Sequence, residues 1–297
     1  MIKVFNRKNK QLEIEKVAGE KILNWLYISP IGKNLLELIV KKKLTSKIYG
    51  SYCDLSLSAK KIPSFVTDLD IDMSIYKKNL DEFTSFNDFF TRELKSQYLN
   101  FNSENKYLTS PCQSRVLAYT NINNSSILNI KGFNYSLNDL LQDEETSSNY
   151  ECGTCMIFRL CPTDYHRFHF IDSGICEPTH NITGSYYSVN PISLEKMKKV
   201  FVENKRQWSI LKSDNFDDII YIEVGATCVG SIIQSYSPNT YVKRGDEKGY
   251  FKFGGSTVIL LFKKDSVIID DDILENSKNN IETLINVGEI IGHRKDI

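Results

Sequence analysis

The stretch Phe253-Gly254-Gly255-Ser256-Thr257 leads straight into the apolar run Val258 to Phe262, so a serine stands after two glycines at the start of a predicted strand. Gly255 has no Cβ, which leaves its carbonyl open to the Ser256 hydroxyl and lets the backbone adopt strained angles. That arrangement favours an N→O acyl shift, in which the serine attacks its own chain. A flexible Gly-Gly-Ser turn entering a strand is the simpler interpretation of the same residues.

The acyl shift has a definite chemical outcome. It converts the peptide bond before Ser256 into an ester, which β-elimination breaks, and hydrolysis of the dehydroalanine leaves a pyruvoyl group on the new N-terminus. That ketone is a built-in electrophile. The motif alone does not choose between this chemistry and a plain turn, so the choice depends on the rest of the chain.

Further segments resemble the phosphatidylserine decarboxylases and occur in that family's order. They lie at residues 85–94, 159–169, 187–191, 224–232, 243–252 and 287–292, and the second of them contains Tyr165-His166-Arg167-Phe168-His169. Together with the glycine-serine stretch they extend the resemblance over roughly residues 80–292. Several separate motifs in one order make a chance match improbable.

The resemblance implies a pyruvoyl-dependent carboxy-lyase that starts as a proenzyme. Cleavage between Gly255 and Ser256 would separate residues 1–255 from residues 256–297, with Ser256 supplying the covalent pyruvoyl cofactor. The amine of phosphatidylserine would form a Schiff base with that group, which accepts the electrons left when CO₂ departs, as pyridoxal phosphate does. The product would be phosphatidylethanolamine. The implied partners are phosphatidylserine and the two fragments of the chain, which strand pairing would hold together.

Two histidines, His166 and His169, supply the acid–base groups of this chemistry. His169 matches the family's histidine that serves as general base for Ser256, and His166 is a second candidate for that role. We also assign His166 to return a proton to the substrate carbanion. One of the two could instead be a satisfied core histidine. As a metal pair the His-x-x-His spacing lacks helical context, and we expect no metal site.

The stretch Ser110-Pro111-Cys112-Gln113 departs from the family's pattern, in which an aspartate follows Ser-Pro-x and supports the histidine. Gln113 can accept a hydrogen bond from an imidazole but has no charge to stabilise the imidazolium. Removing that charge from a serine protease triad lowers turnover about 10⁴-fold. Cleavage happens once per molecule, so it can survive such slowing, and Asp164 or Asp172 can partly substitute. The alternative is a maturation-deficient relative that stays an uncleaved zymogen or a membrane-binding protein.

Two arginines near the histidines, Arg159 and Arg167, have the guanidinium geometry that binds a phosphodiester or a carboxylate. Ordinary salt bridges explain them equally well. The aromatic residues around the histidines either line a substrate cleft or pack in the core.

The patterning predicts an α+β chain, in which N-terminal amphipathic helices precede a strand-rich, barrel-like or sandwich-like catalytic domain. Helical spacing occurs in residues 19–49 and again in residues 73–95, where four phenylalanines share one face as core residues. Farther on, short β-rich runs alternate with Gly, Asn, Asp and Ser, and residues 142–149 are the most loop-like insertion. We therefore divide the chain into a helical, membrane-interacting region of residues 1–100 and a β-rich catalytic domain of residues 101–297.

Charge and hydropathy bear on partners and location. Lys plus Arg and Asp plus Glu balance at 37 each, which is unlike a nucleic-acid-binding protein. Residues 1–50 nevertheless hold an excess of lysine and arginine beside apolar residues such as Trp25, which suits an anionic membrane surface. The sequence has no apolar run of about 18 residues and no signal peptide at its start. We expect a peripheral protein on the cytoplasmic side of the cell membrane, and we expect it to form a homo-oligomer.

The seven cysteines are odd in number and scattered through apolar segments, which favours reduced thiols over a disulfide framework. Cys152 and Cys155 have redox or half-zinc spacing, but no second such pair accompanies them. We therefore interpret most of the cysteines as small core residues.

Overall fold

The computed structural model describes residues 2–15, 20–36, 38, 43–122, 128–130, 133–196, 200–226, 231–254 and 256–295. It confirms the expected α+β fold. The strands, in chain order, are β1 (Lys3–Asn6), β2 (Gln11–Ile14), β3 (Tyr107–Thr109), β4 (Ser114–Thr120), β5 (Leu128–Ile130), β6 (Phe133–Tyr135), β7 (Thr154–Leu160), β8 (Arg167–His169), β9 (Gly174–Cys176), β10 (His180–Ile182), β11 (Arg206–Ser213), β12 (Asp218–Gly225), β13 (Ile232–Gln234), β14 (Thr240–Val242), β15 (Glu247–Phe251), β16 (Ser256–Phe262), β17 (Val267–Ile269), β18 (Glu282–Ile285) and β19 (Ile290–Arg294). The α-helices are α1 (Glu20–Ile28), α2 (Pro30–Leu35), α3 (Lys43–Asp54), α4 (Ile62–Leu69), α5 (Phe86–Phe90), α6 (Leu137–Leu141), α7 (Glu144–Ser148), α8 (Pro191–Lys196), α9 (Val200–Glu203) and α10 (Asp271–Lys278).

A large mixed sheet forms the centre of the molecule, in the order β14-β9-β11-β12-β16-β7-β4-β18-β1-β2, with β10 beside β11. We call β16, which begins at Ser256, the serine strand. It lies between β12 and β7, antiparallel to both, and all of its residues are buried. Burial on both faces explains why its sequence is an unbroken apolar run instead of an alternating one. The described strands leave this sheet open at both ends, so they do not form a closed barrel.

The serine strand presents different residues to the two faces of the main sheet. Even-numbered residues from Ser256 point to one face and odd-numbered residues from Thr257 to the other, because side chains alternate along a strand. The first face packs against a small sheet of β13, β15 and β8, which we call the histidine sheet because β8 ends in His169. The second face packs against α6, α8 and Tyr27 of α1. Ser256 and the histidine sheet therefore lie on the same side of the main sheet.

The first hundred residues are not wholly helical, contrary to our expectation. β1 and β2 form a hairpin, and β1 pairs in parallel with β18 near the end of the chain, so residues 3–14 belong to the main sheet. The amphipathic helices follow as α1, α2 and α3. No helix within the described ranges is long and apolar enough to cross a membrane. The domain boundary near residue 100 stays a prediction.

Residues 73–95 differ from the predicted pair of helices. They form the short helix α5 and two single 3₁₀ turns, Met73–Ile75 and Leu80–Glu82. Asp72 and Ser85 each cap a new turn by accepting a backbone N–H, and such caps break the segment into short pieces. The core assignment is confirmed, because all four phenylalanines are buried: Phe83, Phe86, Phe89 and Phe90.

The predicted loop at residues 142–149 contains a helix instead. Asp143 caps α7 by accepting hydrogen bonds from the backbone N–H and the hydroxyl of Thr146. Two glutamates follow in the first turn, where negative charge is favourable. The acidic composition that suggested a loop is that of a helix N-terminus.

The described cysteines are free thiols, as the sequence predicted. Cys53, Cys112, Cys155, Cys161 and Cys176 are buried, and Cys152 is exposed. Cys228 lies outside the described residues. Buried thiols of this kind behave as small apolar core residues.

Candidate active site around Ser256

Ser256 opens the serine strand and is fully buried. Its neighbours across the sheet are Gly225 of β12 and Leu160 of β7. Gly254 has a φ of 140°, a conformation that residues with side chains rarely adopt, so the entry to the strand requires glycine there. Gly255, the predicted cleavage residue, lies outside the described residues.

His166 is the histidine that faces the Ser256 hydroxyl. Its Nε2 lies 2.9 Å from the Cys161 carbonyl oxygen, which can only accept, so Nε2 carries the proton. Its Nδ1 is then an acceptor 3.3 Å from Ser256 Oγ, and the hydroxyl donates to it. Burial, reinforced by the positive charge of Arg92, holds the pKa of His166 well below its usual range. A neutral imidazole in this tautomer is the form that a general base needs.

Two residues of the segment 85–94 hold His166 in place. The Phe90 ring stacks on the imidazole with the ring centroids 3.9 Å apart. Arg92 donates hydrogen bonds to the backbone carbonyls of Thr163 and Asp164, which fixes the loop that leads to His166. The family resemblance included this segment, but the sequence assigned Phe90 only to the core and gave Arg92 no role. Both roles depend on contacts with the loop that ends at His166, more than 70 residues farther along the chain.

His169, which we expected as the general base, makes other contacts. Its Nδ1 donates to the Gly245 carbonyl at 2.9 Å, and its Nε2 accepts from the Tyr165 hydroxyl at 3.0 Å. Burial lowers the pKa of His169 as well. Among the described residues it makes no hydrogen bond to Ser256, so the structure brings His166 to the serine and not His169. The catalytic assignment of the two histidines stays a prediction.

Gln113 binds the backbone and not an imidazole. Its Oε1 accepts the N–H of Tyr165 at 2.9 Å, which anchors the loop directly before His166. In the part of the chain that the structure describes, it makes no hydrogen bond to either His166 or His169. The residue in the family's aspartate position therefore acts here on the loop that carries the histidine.

Asp164 is the carboxylate that is connected to the site. Its Oδ2 accepts the Cys161 N–H at 2.7 Å and also pairs with Arg115. The Cys161 carbonyl accepts from His166, so a continuous series of contacts joins Asp164 to Ser256. Burial raises the pKa of Asp164, and the charge of Arg115 opposes that shift. Asp164 therefore orients the histidine through the backbone of Cys161 and not by direct contact.

The remaining charged candidates are engaged in ion pairs. These are Arg159 with Glu282 at 2.5 Å and with Glu15 at 2.7 Å, Arg167 with Glu247 at 2.7 Å, and Asp172 with Arg244 at 2.9 Å. Ordinary salt bridges explain both arginines in this structure.

Comparison with known proteins gives one consistent result. The model of the family described as phosphatidylserine decarboxylase matches residues 86–293. A phosphatidylserine decarboxylase proenzyme from Clostridium botulinum (strain Langeland) is 59% identical over 295 residues, which cover 99% of this chain and 100% of the relative. A proenzyme of the same name from Clostridium perfringens (strain SM101) is 54% identical over 99% of this chain and 100% of its own length. Another from Clostridium novyi (strain NT) is 54% identical over 98% of this chain and 99% of its own length. These matches do not support the alternative of a maturation-deficient relative.

Proposed function

The chain belongs to the phosphatidylserine decarboxylase family, and we propose on that premise that it is a proenzyme whose Ser256 becomes a covalent pyruvoyl group by self-cleavage after Gly255. The mature enzyme would convert phosphatidylserine to phosphatidylethanolamine and CO₂. The observation that carries the proposal is the 3.3 Å contact between Ser256 Oγ and His166 Nδ1 in a fully buried site.

Self-cleavage needs the serine hydroxyl as nucleophile and a base to take its proton. Ser256 Oγ attacks the Gly255 carbonyl carbon while His166 Nδ1 accepts the hydroxyl proton, and the amide nitrogen leaves as an amine, which gives an ester. Loss of the Ser256 Cα proton then expels the Gly255 carboxylate and leaves a dehydroalanine. One water hydrolyses the tautomeric imine to the ketone and releases ammonia, so the sequence balances without an oxidant.

The surroundings of Ser256 fit a pyruvoyl group. The serine heads a strand held between two others, so strand pairing would keep the new N-terminus in place. When present, the pyruvoyl ketone supplies an electron sink for a carbanion, as pyridoxal phosphate does. Burial of Ser256 keeps the site away from water, which would disfavour the charged carboxylate of a bound substrate and so favour its loss as CO₂.

His166 is also suited to move a proton during decarboxylation. After cleavage, its Nδ1 would face the position that Ser256 Oγ had occupied. An imidazolium whose pKa is lowered by burial gives up its proton readily. We therefore assign His166 to return a proton to the substrate carbon before the amine product leaves.

The two fragments would stay together without a covalent bond. The serine strand is paired along its length with β12 and β7 of the larger fragment, and β18 pairs with β1 and β4. Buried Arg159 of the larger fragment binds Glu282 of the smaller one at 2.5 Å. Arg7 adds ion pairs to Asp270 and Asp272 across the same division, each at 2.7 Å.

The N-terminal helices and the turns after them offer a surface for anionic membrane. Their exposed large apolar side chains are Trp25, Ile28, Ile31, Leu38, Leu44, Ile48, Leu55 and Leu57. Exposed lysines such as Lys33 and Lys47 lie among them. Apolar side chains with basic neighbours suit the interface of an anionic bilayer, and we propose a peripheral location on its cytoplasmic side. Self-association into a homo-oligomer stays a prediction.

The test of cleavage is a time course of the chain made in a cell-free translation system. Denaturing mass analysis should reveal a break between Gly255 and Ser256 and a second fragment, residues 256–297, that carries a pyruvoyl-blocked terminus. A chain that stays intact for days while folded would contradict the proposal.

The test of the reaction uses the cleaved protein and vesicles of phosphatidylserine. Release of CO₂ together with phosphatidylethanolamine is the expected result. Release of free fatty acid instead would indicate a serine hydrolase and overturn the assignment.

A further inference from the structure

Lys248 and Glu223 form a fully buried ion pair on the same face of the main sheet as Ser256. Lys248 Nζ lies 2.8 Å from Glu223 Oε1, and neither side chain is exposed. Gln234 completes the group, since its Oε1 accepts from Lys248 at 3.0 Å and its Nε2 donates to Glu223 Oε2 at 3.0 Å. Both carboxylate oxygens of Glu223 therefore have a donor within the protein.

Aromatic rings enclose the ammonium group of Lys248. The ring centroids lie 5.0 to 6.0 Å from Nζ and belong to Phe168, Phe170, Tyr221 and Tyr236. Ring faces attract a cation, but the cost of removing two charges from water offsets most of what a buried ion pair contributes. Replacing a buried ion pair with apolar side chains of similar volume is often neutral or stabilising. Stability alone therefore does not account for the pair.

The position of the pair points to a role in the site. Lys248 is the extra residue of a β-bulge in β15, because His169 pairs with Glu247 while Phe168 pairs with Gly249. A bulge bends its strand and redirects the neighbouring side chains. Glu223 lies in β12. Two positions farther along, on the same face of the sheet, is Gly225, the cross-strand partner of Ser256. The pair thus ties the histidine sheet to the strand beside the serine strand.

We propose that Lys248, Glu223 and Gln234 form a positioning cluster that sets the distance between His166 and Ser256 for self-cleavage, an inference that rests on the proposed function. The cluster acts through the backbone of β15. Phe251 of that strand donates its N–H to the His166 carbonyl at 3.0 Å, so a displaced β15 moves the histidine. A misplacement of about 1 Å at a reacting group can cost about 10²-fold in rate.

The experiment replaces the whole cluster with apolar side chains of similar size, Lys248→Met, Glu223→Leu and Gln234→Leu together. The first-order rate constant of cleavage is measured in the full chain, since it is independent of substrate. We expect this rate constant to fall at least about tenfold while Tm stays equal or rises. A separate variant, Lys248→Arg with Glu223→Asp, keeps both charges. Its rate constant should stay within about threefold of that of the unsubstituted chain.

The matched control is Ile222→Val, which lies next to Glu223 in β12 but points to the opposite face. It should lower Tm without changing the rate constant. If the triple variant does not fold, Lys248→Gln with Glu223→Gln removes both charges but keeps hydrogen-bonding side chains. If the triple variant, or the variant with Lys248→Gln and Glu223→Gln, folds and cleaves at the unsubstituted rate, the inference is overturned and the proposed function is not. An unsubstituted chain that never cleaves overturns the proposed function as well.

Discussion

The loop of residues 161–166 and the N-terminal helices use their side chains in opposite ways. Arg92 and Gln113 hold the loop by buried or partly buried hydrogen bonds, Asp164 adds a buried hydrogen bond within it, and its histidine lies between Phe90 and Ser256. The helices instead leave apolar side chains exposed. The proposed self-cleavage needs one geometry, which contacts from several sides can hold, whereas the proposed contact with lipid needs only apolar area beside basic charge.

The largest effect should come from removing the nucleophile. Ser256→Ala should abolish cleavage completely, because no other hydroxyl is hydrogen-bonded to His166 among the described residues. Thr257→Val is the matched control. Thr257 follows Ser256 but points to the opposite face of the sheet, and its buried hydroxyl has no hydrogen-bond partner in the described structure. Mass analysis of both chains checks the prediction. Cleavage of the Ser256→Ala chain at the same bond would rule out the serine mechanism.

Substitution of His166 should slow cleavage more than substitution of His169. His166→Asn should lower the cleavage rate constant about 10²- to 10⁴-fold, because it removes the base that contacts the serine. His169→Asn should have a smaller effect, through the loss of its contacts to Tyr165 and Gly245. Both rate constants come from the same time course. The reverse order would restore His169 as the base and mean that the site rearranges before it reacts.

Substitutions of the residues that hold the loop 161–166 should change the cleavage rate constant less than substitution of His166 does. Asp164→Asn should slow cleavage about tenfold, since the neutral side chain orients the Cys161 amide less firmly and leaves Arg115 paired with Glu15 alone among its described carboxylate partners. Gln113→Asp should change the rate constant by less than about threefold, because the side chain here holds the Tyr165 N–H and not an imidazole. A large acceleration by Gln113→Asp would instead favour a direct carboxylate–histidine pair.

The exposed helices should matter for lipid and not for cleavage. Trp25→Gln with Ile31→Gln should weaken binding to phosphatidylserine vesicles about tenfold, because two apolar side chains no longer enter the interface. The cleavage rate constant should be unchanged. Ile175→Gln, an exposed apolar residue of β9, is the control for a general effect on solubility. Equal binding by all of these chains in a vesicle flotation assay would remove the helices from the membrane contact.

The smallest effect concerns pH. A base works when neutral, and the pKa of His166 is held well below 6.5, so the cleavage rate constant should stay level as pH falls from 8 through 6.5. Stability should behave differently. The unfolded chain takes up the proton at ordinary histidine pKa values while the folded site does not, so the free energy of unfolding should fall as pH drops below about 6.5. Cleavage time courses and denaturant titrations at each pH separate the two responses.

Sequence reasoning predicted the buried strand and the core faces better than it predicted which side chains form hydrogen bonds. The apolar run after Ser256 predicted a buried strand, and the four phenylalanines of residues 73–95 predicted a core face, because both follow from local periodicity. The same reasoning expected a helical pair there and a loop at residues 142–149. Capping side chains decided both segments, and their effect depends on the hydrogen bonds that they make.

The sequence by itself determined the family, the serine at the head of a buried strand, the pair of histidines and the departure at Gln113, since each is a matter of residue type and order. Only the tertiary structure decided which histidine meets Ser256 and where Gln113 and Lys248 bind. His166 and Ser256 are 90 residues apart, and Lys248 and Glu223 are 25 apart. Such contacts depend on strand order, on a bulge and on the path of a loop, and none of these leaves a local pattern in the chain.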